Sequence, residues 1–395
     1  MSSKTKSPLR FKLLAKCSVT KARVGVVSLP HSDVSTPVFM PVGTKGSMKG
    51  ILQQQLYALD CRIMLSNTYH LGLKPGIETL RKAGGLHKFM NWTRSLLTDS
   101  GGFQMVSLLK LAEITENGVK FQTPYTDDAE ITLTPEHSIE IQNAIGADIA
   151  MQLDDVVKTT TRGPRVEEAM HRTVRWLDRC LGAHSRNADQ SIFPIVQGGL
   201  EPDLRRACAD LLTQRPCRGF AVGGLSGGES KDEFWPVVRL CAQLLPEDKP
   251  RYLMGVGFAA DLVVCVALGI DMFDCVFPTR TARFGCALVR SGQLNLKQKI
   301  FAKDHRPIDE QCSCSTCRSY TRSYLHHIVT VEPAGASILS VHNVAFQLRL
   351  MSDIREAIQQ DKFPDFVKDF MKEHFEGREV PQWIIDALRS VDVEL

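Results

Sequence analysis

A (β/α)8 barrel, the TIM-barrel form of the α/β class, is predicted by three features of this 395-residue sequence. Eight short apolar runs recur between residues 37 and 278, helical periodicity follows most of them, and each run is continuous rather than alternating. Continuous runs mark strands buried on both faces, as in a parallel sheet. Eight strand–helix units in about 250 residues is the count of such a barrel. A doubly wound open sheet would need a Gly-rich phosphate turn after its first strand, and "PVGTKGSMKG" is a poor one.

In chain order the strand candidates are "PVFMPVG" (37–43), "CRIMLSNT" (61–68), "SLLTDSGG" (95–102) and "DIAMQLDD" (148–155). Then come "SIFPIVQGG" (191–199), "GFAVGGLSGG" (219–228), "RYLMGVG" (251–257) and "MFDCVFP" (272–278). Helical spacing is clearest in "PEHSIEIQNAIG", "PRVEEAMHRTVRWLDRCLGAH", "PDLRRACADLLTQ", "KDEFWPVVRLCAQLL" and "AADLVVCVALG". The stretch 106–134 breaks the rhythm and reads as a hairpin inserted between the third strand and its helix. After residue 286 the pattern changes to a strand, a cysteine cluster and amphipathic helices such as "FPDFVKDFMKEHF".

Apolar and charged fractions of 43% and 23% are those of an ordinary soluble globular protein. A net charge of +4 is too small to announce nucleic-acid binding, so a polyanion partner would need positive charge gathered at one place. No apolar stretch reaches the ~18 residues of a membrane span. No apolar core of a signal peptide follows the start, so a cytoplasmic location is expected. Seven Lys or Arg precede Asp33, the first acidic residue. That composition is shared with mitochondrial presequences, and a basic first strand pair of the fold is the preferred reading.

Nine of the twelve cysteines are scattered singly through apolar runs, as small buried residues of a reducing compartment are. Cys312, Cys314 and Cys317 instead stand together at C-x-C-x2-C spacing, a strong zinc signal. The fourth ligand must come from elsewhere, and His326, His327 and His342 are candidates. A closed structural site is expected. The domain reading is thus a barrel over 1–285, then a zinc-binding insertion and C-terminal helices completing the barrel over 286–395.

The active site of such a barrel lies at the C-terminal ends of its strands. Those ends carry Asn67 and Thr68, Asp99, Asp154 and Asp155, Gln197, Gly223 and Gly224, Met254 and Gly255, and Asp274. A lone Asp there is most often a helix N-cap, but three strand ends with the same feature weaken that reading. A metal is not favoured, since only His70 stands near a strand end. Paired carboxylates in an apolar cleft point instead to glycosidic-bond chemistry. Asp274 is the better nucleophile, with Arg280 and Arg283 nearby expected to favour its ionised form. Asp99 is placed to move a proton on the leaving or incoming group. Asp154, Gln197 and the backbone of "GGLSGG" make the edge-reading set for a purine such as guanine, with Phe103 and Met254 over its faces. Arg280 and Arg283 then become phosphate clamps.

Together "TPVFMPVGT", "LSNTYHL", "LTDSGGFQM", "QLDD", "IVQGG", "GGLSGGE", "YLMGVG", "FDCVFPTRTARFG" and the cysteine cluster with a later "HN" resemble the tRNA-guanine transglycosylase family, from about residue 10 to the C-terminus. The resemblance implies a (β/α)8 barrel with a zinc-bearing insertion. It also implies exchange of guanine at wobble position 34 of GUN anticodons for queuine, through a covalent Asp–ribosyl intermediate. Asp274 matches the nucleophile and Asp99 the acid/base. The base-binding positions fall on Asp99, Ser100, Gly101, Gly102, Phe103, Asp154, Gln197, Gly223, Gly224, Leu225 and Met254. One RNA-contacting loop falls on Gly255, Val256, Gly257, Phe258, Ala259, Ala260 and Asp261. The wobble-base recognition loop falls on Thr279, Arg280, Thr281, Ala282 and Arg283. The zinc histidine falls on His342, giving one structural Zn2+ per chain and no redox or nucleotide cofactor.

The resemblance also implies the anticodon loop of tRNA as partner, and a heterodimer with a paralogous non-catalytic subunit, a homodimer being the alternative. Cytoplasmic residence at the mitochondrial outer membrane is a further implied location. Gly227, Val156 and Phe103 stand where bacterial members resemble Val, Cys and Tyr. A missing side chain at 227 should enlarge the pocket toward bulky queuine. Two rivals were weighed: a non-catalytic RNA-binding subunit, for which converging acids have no physical use, and a retaining glycoside hydrolase, which 7% aromatics and Gly-lined loops fit poorly.

Overall fold

A computed structural model describes residues 8–102, 113–122 and 130–395. Three antiparallel strands come first: β1 (Arg10–Lys16), β2 (Arg23–Ser28) and β3 (Asp33–Thr36). The basic N-terminal stretch from residue 10 therefore belongs to a three-stranded sheet rather than a strand pair, and residues 1–7 lie outside the described residues.

Eight parallel strand positions follow. They are β4 (Val38–Pro41), β5 (Ile63–Asn67), β6 (Ser95–Asp99), β10 (Ile149–Met151), β11 (Ser191–Phe193) continued by β12 (Ile195–Val196), β13 (Phe220–Val222), β14 (Arg251–Leu253) and β15 (Met272–Cys275). Each pairs in parallel with the next, and β15 pairs back onto β4. Between β4 and β5 the ring is closed by the Val42–Leu65 bridge, with Gly43 N donating to Leu65 O at 2.7 Å. The result is a closed (β/α)8 barrel.

Pro194 splits the fifth strand because it has no N–H to give the ladder. The side chain of Gln152 covers the gap: its Oε1 accepts from Ile195 N at 3.0 Å, while Gln152 N donates to Phe193 O at 3.1 Å. Inside the barrel Met40, Ile63, Leu65, Leu97, Met151, Phe193, Ile195, Tyr252 and Met272 pack together, and Leu9, Val27 and Val34 of the first sheet join them. That sheet therefore plugs the N-terminal end of the barrel and leaves the other end to be the mouth.

The insertion after β6 is a three-stranded antiparallel sheet among the described residues, not a simple hairpin: β7 (Glu113–Ile114), β8 (Val119–Gln122) and β9 (Glu130–Leu133). Val119, Phe121 and Leu133 are buried in the main core. The outer helices Pro135–Ile145, Pro164–Ala183 and Pro202–Thr213 each begin with proline, whose fixed φ suits the first turn and whose missing N–H costs nothing there. Lys231–Leu244 starts with a Ser230–Glu233 capping box.

A hairpin of β16 (Cys286–Val289) and β17 (Gly292–Asn295) opens the C-terminal region, followed by the helices Ser315–Ser319, Arg322–Val331, Ala334–Gln359, Phe363–His374 and Gln382–Arg389. The helix 334–359 belongs to two clusters. Val344, Phe346, Leu350 and Ile354 join the barrel's outer core, and Leu339 packs with the cysteine cluster. Among the described residues no helix is long and apolar enough to cross a membrane.

Candidate active site and metal centre

Asp99 ends β6 and is buried. Its Oδ2 accepts from Asn67 Nδ2 at 2.6 Å and its Oδ1 from Thr68 N at 3.1 Å, both at the end of the neighbouring strand β5. Burial pushes its carboxyl up to about 7, against the pull of these donors, and the charge of Asp274 adds to the rise.

Asp274 lies on β15, half-buried at the mouth. Tyr252 Oη donates to its Oδ1 at 2.6 Å and Gly255 N donates to the same oxygen at 2.8 Å. Among the described residues Oδ2 has no hydrogen-bond partner, so one oxygen is fixed and the other faces outward chemistry. Burial raises this carboxyl too, while Tyr252 and Gly255 oppose the rise. The expectation that Arg280 and Arg283 hold Asp274 ionised is not met. Both guanidinium groups are exposed, and Arg283 Nη1 donates to Thr279 O at 3.2 Å instead.

A hydrogen-bonded group of Ser100, Asp154 and Gln197 adjoins Asp99. Asp154 Oδ1 accepts from Ser100 Oγ at 3.3 Å and Oδ2 from Gln197 Nε2 at 2.7 Å. Burial lifts its carboxyl to about 6, opposed by Gln197 and aided by neighbouring Asp155. A Cβ on Gly224, whose φ is +68°, would stand 2.4 Å from Gln197 Oε1, so only glycine lets that backbone approach the amide. Gly223 packs against Ile195, Gln197 and Met254, and Gly102 against Leu153 and Ser100. Gly101, at φ +82°, lies against Tyr69. Leu225 and Met254 are half-buried at the edge, and Phe103 lies outside the described residues.

Asp155, one residue on, has a different fate. Arg165 and Arg172 grip both its oxygens at 2.5 to 2.9 Å, so it anchors the helix 164–183 and leaves the mouth to Asp154.

The segment 279–283 is helical, not a loop: the helix Phe277–Arg283 starts with Pro278 in its first turn. Arg280 and Arg283 share its exposed face, with Thr281 between them. Thr279 and Ala282 are buried beneath it, as are Val256, Gly257, Ala259, Ala260 and Asp261 in the other segment. Asp261 pairs with Lys231. A polymer meeting this rim therefore touches Gly255, Phe258, Arg280, Thr281 and Arg283. Phe258 is 52% exposed and rests on Phe277 with ring centroids 4.2 Å apart.

Cys312, Cys314, Cys317 and His342 are all buried, with ligand atoms within 4.8 Å of one another. His342 Nδ1 lies 3.7, 3.7 and 3.2 Å from the three sulfurs in that order. Its other nitrogen, Nε2, sits 2.8 Å from Leu288 O, so Nε2 carries the proton and Nδ1 turns its lone pair to the sulfurs. These four side chains could hold a metal ion. His326 Nδ1 is instead engaged by Leu296 O at 2.7 Å.

Tyr252 was not foreseen as a site residue, since a tyrosine in an apolar strand reads as core. Its period-two position, facing inward on β14, is the signal that was there. Thr159 was missed as well: its Oγ1 would stand 2.3 Å from a Cβ on Gly227 and so already fills the space beside that glycine.

A barrel with three buried or half-buried acids at its mouth and a Cys3His cluster beside it defines a narrow class of proteins. A family model described as "Queuine tRNA-ribosyltransferase" matches residues 17–376. The chain is 56% identical over 396 residues to the "Queuine tRNA-ribosyltransferase catalytic subunit" of Schizosaccharomyces pombe, covering 98% of each. It is 54% identical over 402 residues to the protein of the same description in Caenorhabditis elegans, covering 98% of this chain and all of that one. To the "Queuine tRNA-ribosyltransferase" of Thermus thermophilus it is 47% identical over 384 residues, 97% of this chain and 98% of that one. The chain belongs to the queuine tRNA-ribosyltransferase family.

Proposed function

We propose that this chain is the catalytic subunit of a tRNA-guanine transglycosylase, exchanging guanine at wobble position 34 of GUN anticodons for queuine. The observation that carries the reading is the pair Asp99 and Asp274, two carboxylates at the mouth that burial raises together. In the first displacement Asp274 Oδ2 attacks ribose C1′ as the C1′–N9 bond breaks. The bonding pair leaves with guanine, which takes a proton from Asp99, and a ribosyl ester remains. In the second, Asp99 accepts the N9 proton of the incoming base, N9 attacks C1′ and the ester bond returns its electrons to Asp274. A carboxyl near 7 can hold either proton state at cell pH, as both steps need.

Asp154 reads N1–H and the 2-amino group, and Gln197 with the Gly224 backbone reads O6 and N7. Arg280 and Arg283 hold phosphates of the anticodon loop, and Phe258 offers a stacking face beside them. Cys312, Cys314, Cys317 and His342 hold one structural Zn2+, for which a soft thiolate and imidazole set without carboxylate is suited. The names of the eukaryotic relatives, each a catalytic subunit, support a partner subunit for this chain, and a paralogous non-catalytic chain in a heterodimer is the proposed form.

Labelled guanine incorporation into tRNA by the purified chain, beside Asp274→Ala, tests the reading. Wild type incorporates label and the variant does not. Incorporation by the variant would overturn Asp274 as nucleophile. No incorporation by wild type, alone or with the candidate partner, would overturn the activity.

A further inference from the structure

Behind the reading wall lies a buried cation. Arg205, on the helix Pro202–Thr213, is fully buried. Its Nη1 donates to Val196 O at 2.6 Å and its Nε to Gly199 O at 2.8 Å, so the guanidinium spans the carbonyls on either side of Gln197. The third nitrogen, Nη2, is buried without a hydrogen-bond partner and lies 3.5 Å from where a Cβ on Gly224 would stand. Arginine, recognition amide and recognition glycine thus form one packed unit.

The other bonds to this turn are longer: Gly223 N donates to Val196 O at 3.2 Å and Glu201 N to Gly198 O at 3.1 Å. Gln197 N reaches only Cys208 Sγ, a weak acceptor at 3.3 Å. Gly198 and Gly199 take φ of +136° and +57°, and neither has a side chain to anchor. Among the described residues no carboxylate pairs with Arg205, and the nearby Cys208 and Cys241 thiols, both pushed up by burial, supply no anion. A buried charge without a counter-ion is unfavourable for stability.

We infer that Arg205 is the positioning residue of the base-reading wall. It fixes the turn 196–199 so that Gln197 Nε2 stays on Asp154 while Oε1 faces Gly224, and it thereby sets the affinity for the 6-carbonyl edge of the purine. The inference rests on the base-exchange reading. Its action is through Gln197 and Gly224, so recognition of the 6-carbonyl should suffer and tRNA affinity should not.

The test compares guanine with 2-aminopurine, which keeps the ring and the 2-amino group but lacks the 6-carbonyl and, with it, the N1–H. Both are measured as ligands of the full chain in wild type, Arg205→Met and Arg205→Lys. The methionine variant is expected to lose about tenfold in guanine affinity with 2-aminopurine and the KM for tRNA unchanged. Lysine keeps the charge but cannot span two carbonyls, so it falls between. Equal weakening of both bases, or no weakening of either, would overturn the inference. Should the methionine variant fail to fold by circular dichroism, the same guanine to 2-aminopurine ratio in Arg205→Lys decides. Wild type that binds guanine with no change of ratio in the variants sinks the inference alone. Wild type that binds no guanine brings down the base-exchange reading as well.

Discussion

Both ends of this barrel bury aspartates, and they treat them in opposite ways. At the N-terminal end, Asp271 precedes β15 and meets Arg23, whose Nε and Nη2 donate to its two oxygens at 2.9 and 2.6 Å. Asp148 precedes β10 and sits 2.8 Å from His31 Nδ1 and 3.4 Å from His87 Nε2. Burial pushes Asp148 up, yet the two imidazoles outweigh it and hold the carboxyl below its ordinary value. At the mouth burial wins over the donors that meet Asp99, Asp154 and Asp274, and all three carboxyls are raised. Only Met272 and Phe273 separate Asp271 from Asp274. The acids held ionised below build the fold, and the acids raised by burial above are poised to exchange protons.

The contrast is sharpest under the same substitution at both ends. Asp271→Asn should lose about 3 to 5 kcal/mol of stability in denaturant titration, since Arg23 would be left buried and unpaired. Asp274→Asn should melt close to wild type while forming no covalent adduct with tRNA. Equal melting losses at 271 and 274 would erase the distinction.

Asp99→Asn sharpens it through pH. With its carboxyl raised to about 7, folded Asp99 keeps a proton that the unfolded chain gives up near 4. Its contribution is therefore fully present below about 4 and is lost as pH rises through about 7. Asparagine has no such proton, so the variant should gain on wild type by about 2 to 4 kcal/mol between pH 4 and 8. Exchange should fall about 10²- to 10⁴-fold. Stability curves that stay parallel across that window would refute a raised Asp99 carboxyl.

Smaller effects follow from neutral neighbours. Tyr252→Phe removes one of the two donors on Asp274 Oδ1 and should slow exchange about 10- to 100-fold, with the fold intact by circular dichroism. An unchanged rate would mean that Gly255 alone orients the nucleophile. Gly227→Val must displace Thr159, and it should reduce queuine use about tenfold while sparing the smaller guanine. If competition assays find both bases used as before, the pocket argument at 227 fails.

Carboxylates were the legible part of this site. Asp99, Asp154 and Asp274 close apolar runs where charge has no place in a core, so strand periodicity alone brings them to one mouth. Asp155 shows the limit. Nothing local separates it from Asp154, because its fate is decided by Arg165 and Arg172 on a helix whose packing is tertiary. Tyr252 and Arg205 were hidden for the same reason in reverse: a strand tyrosine passes for core, and a helix arginine passes for solvent-facing surface. The segment 277–283 reads as a loop from its two arginines, yet Pro278 starts a helix there, and that turned half of the expected contact residues inward. The barrel was legible from its eight runs, whereas the three-stranded insertion was not, since its short strands find their order only by packing on the core.

Asn343 carries a lesson for anyone who would treat the C-terminal region as interchangeable. Its Oδ1 accepts from Leu288 N at 2.8 Å, and its Nδ2 donates to Pro278 O at 2.9 Å and Cys286 O at 3.0 Å. One side chain, next to the cluster's own His342, thus staples the arginine-bearing helix, the hairpin and the long helix 334–359 together. The cysteine-bearing segment is no detachable cassette. A chimaera spliced at residue 285 would part Asn343 from Pro278 and so from the arginine-bearing helix, and a graft that hopes to carry the segment elsewhere has to run from Phe277 through Asn343.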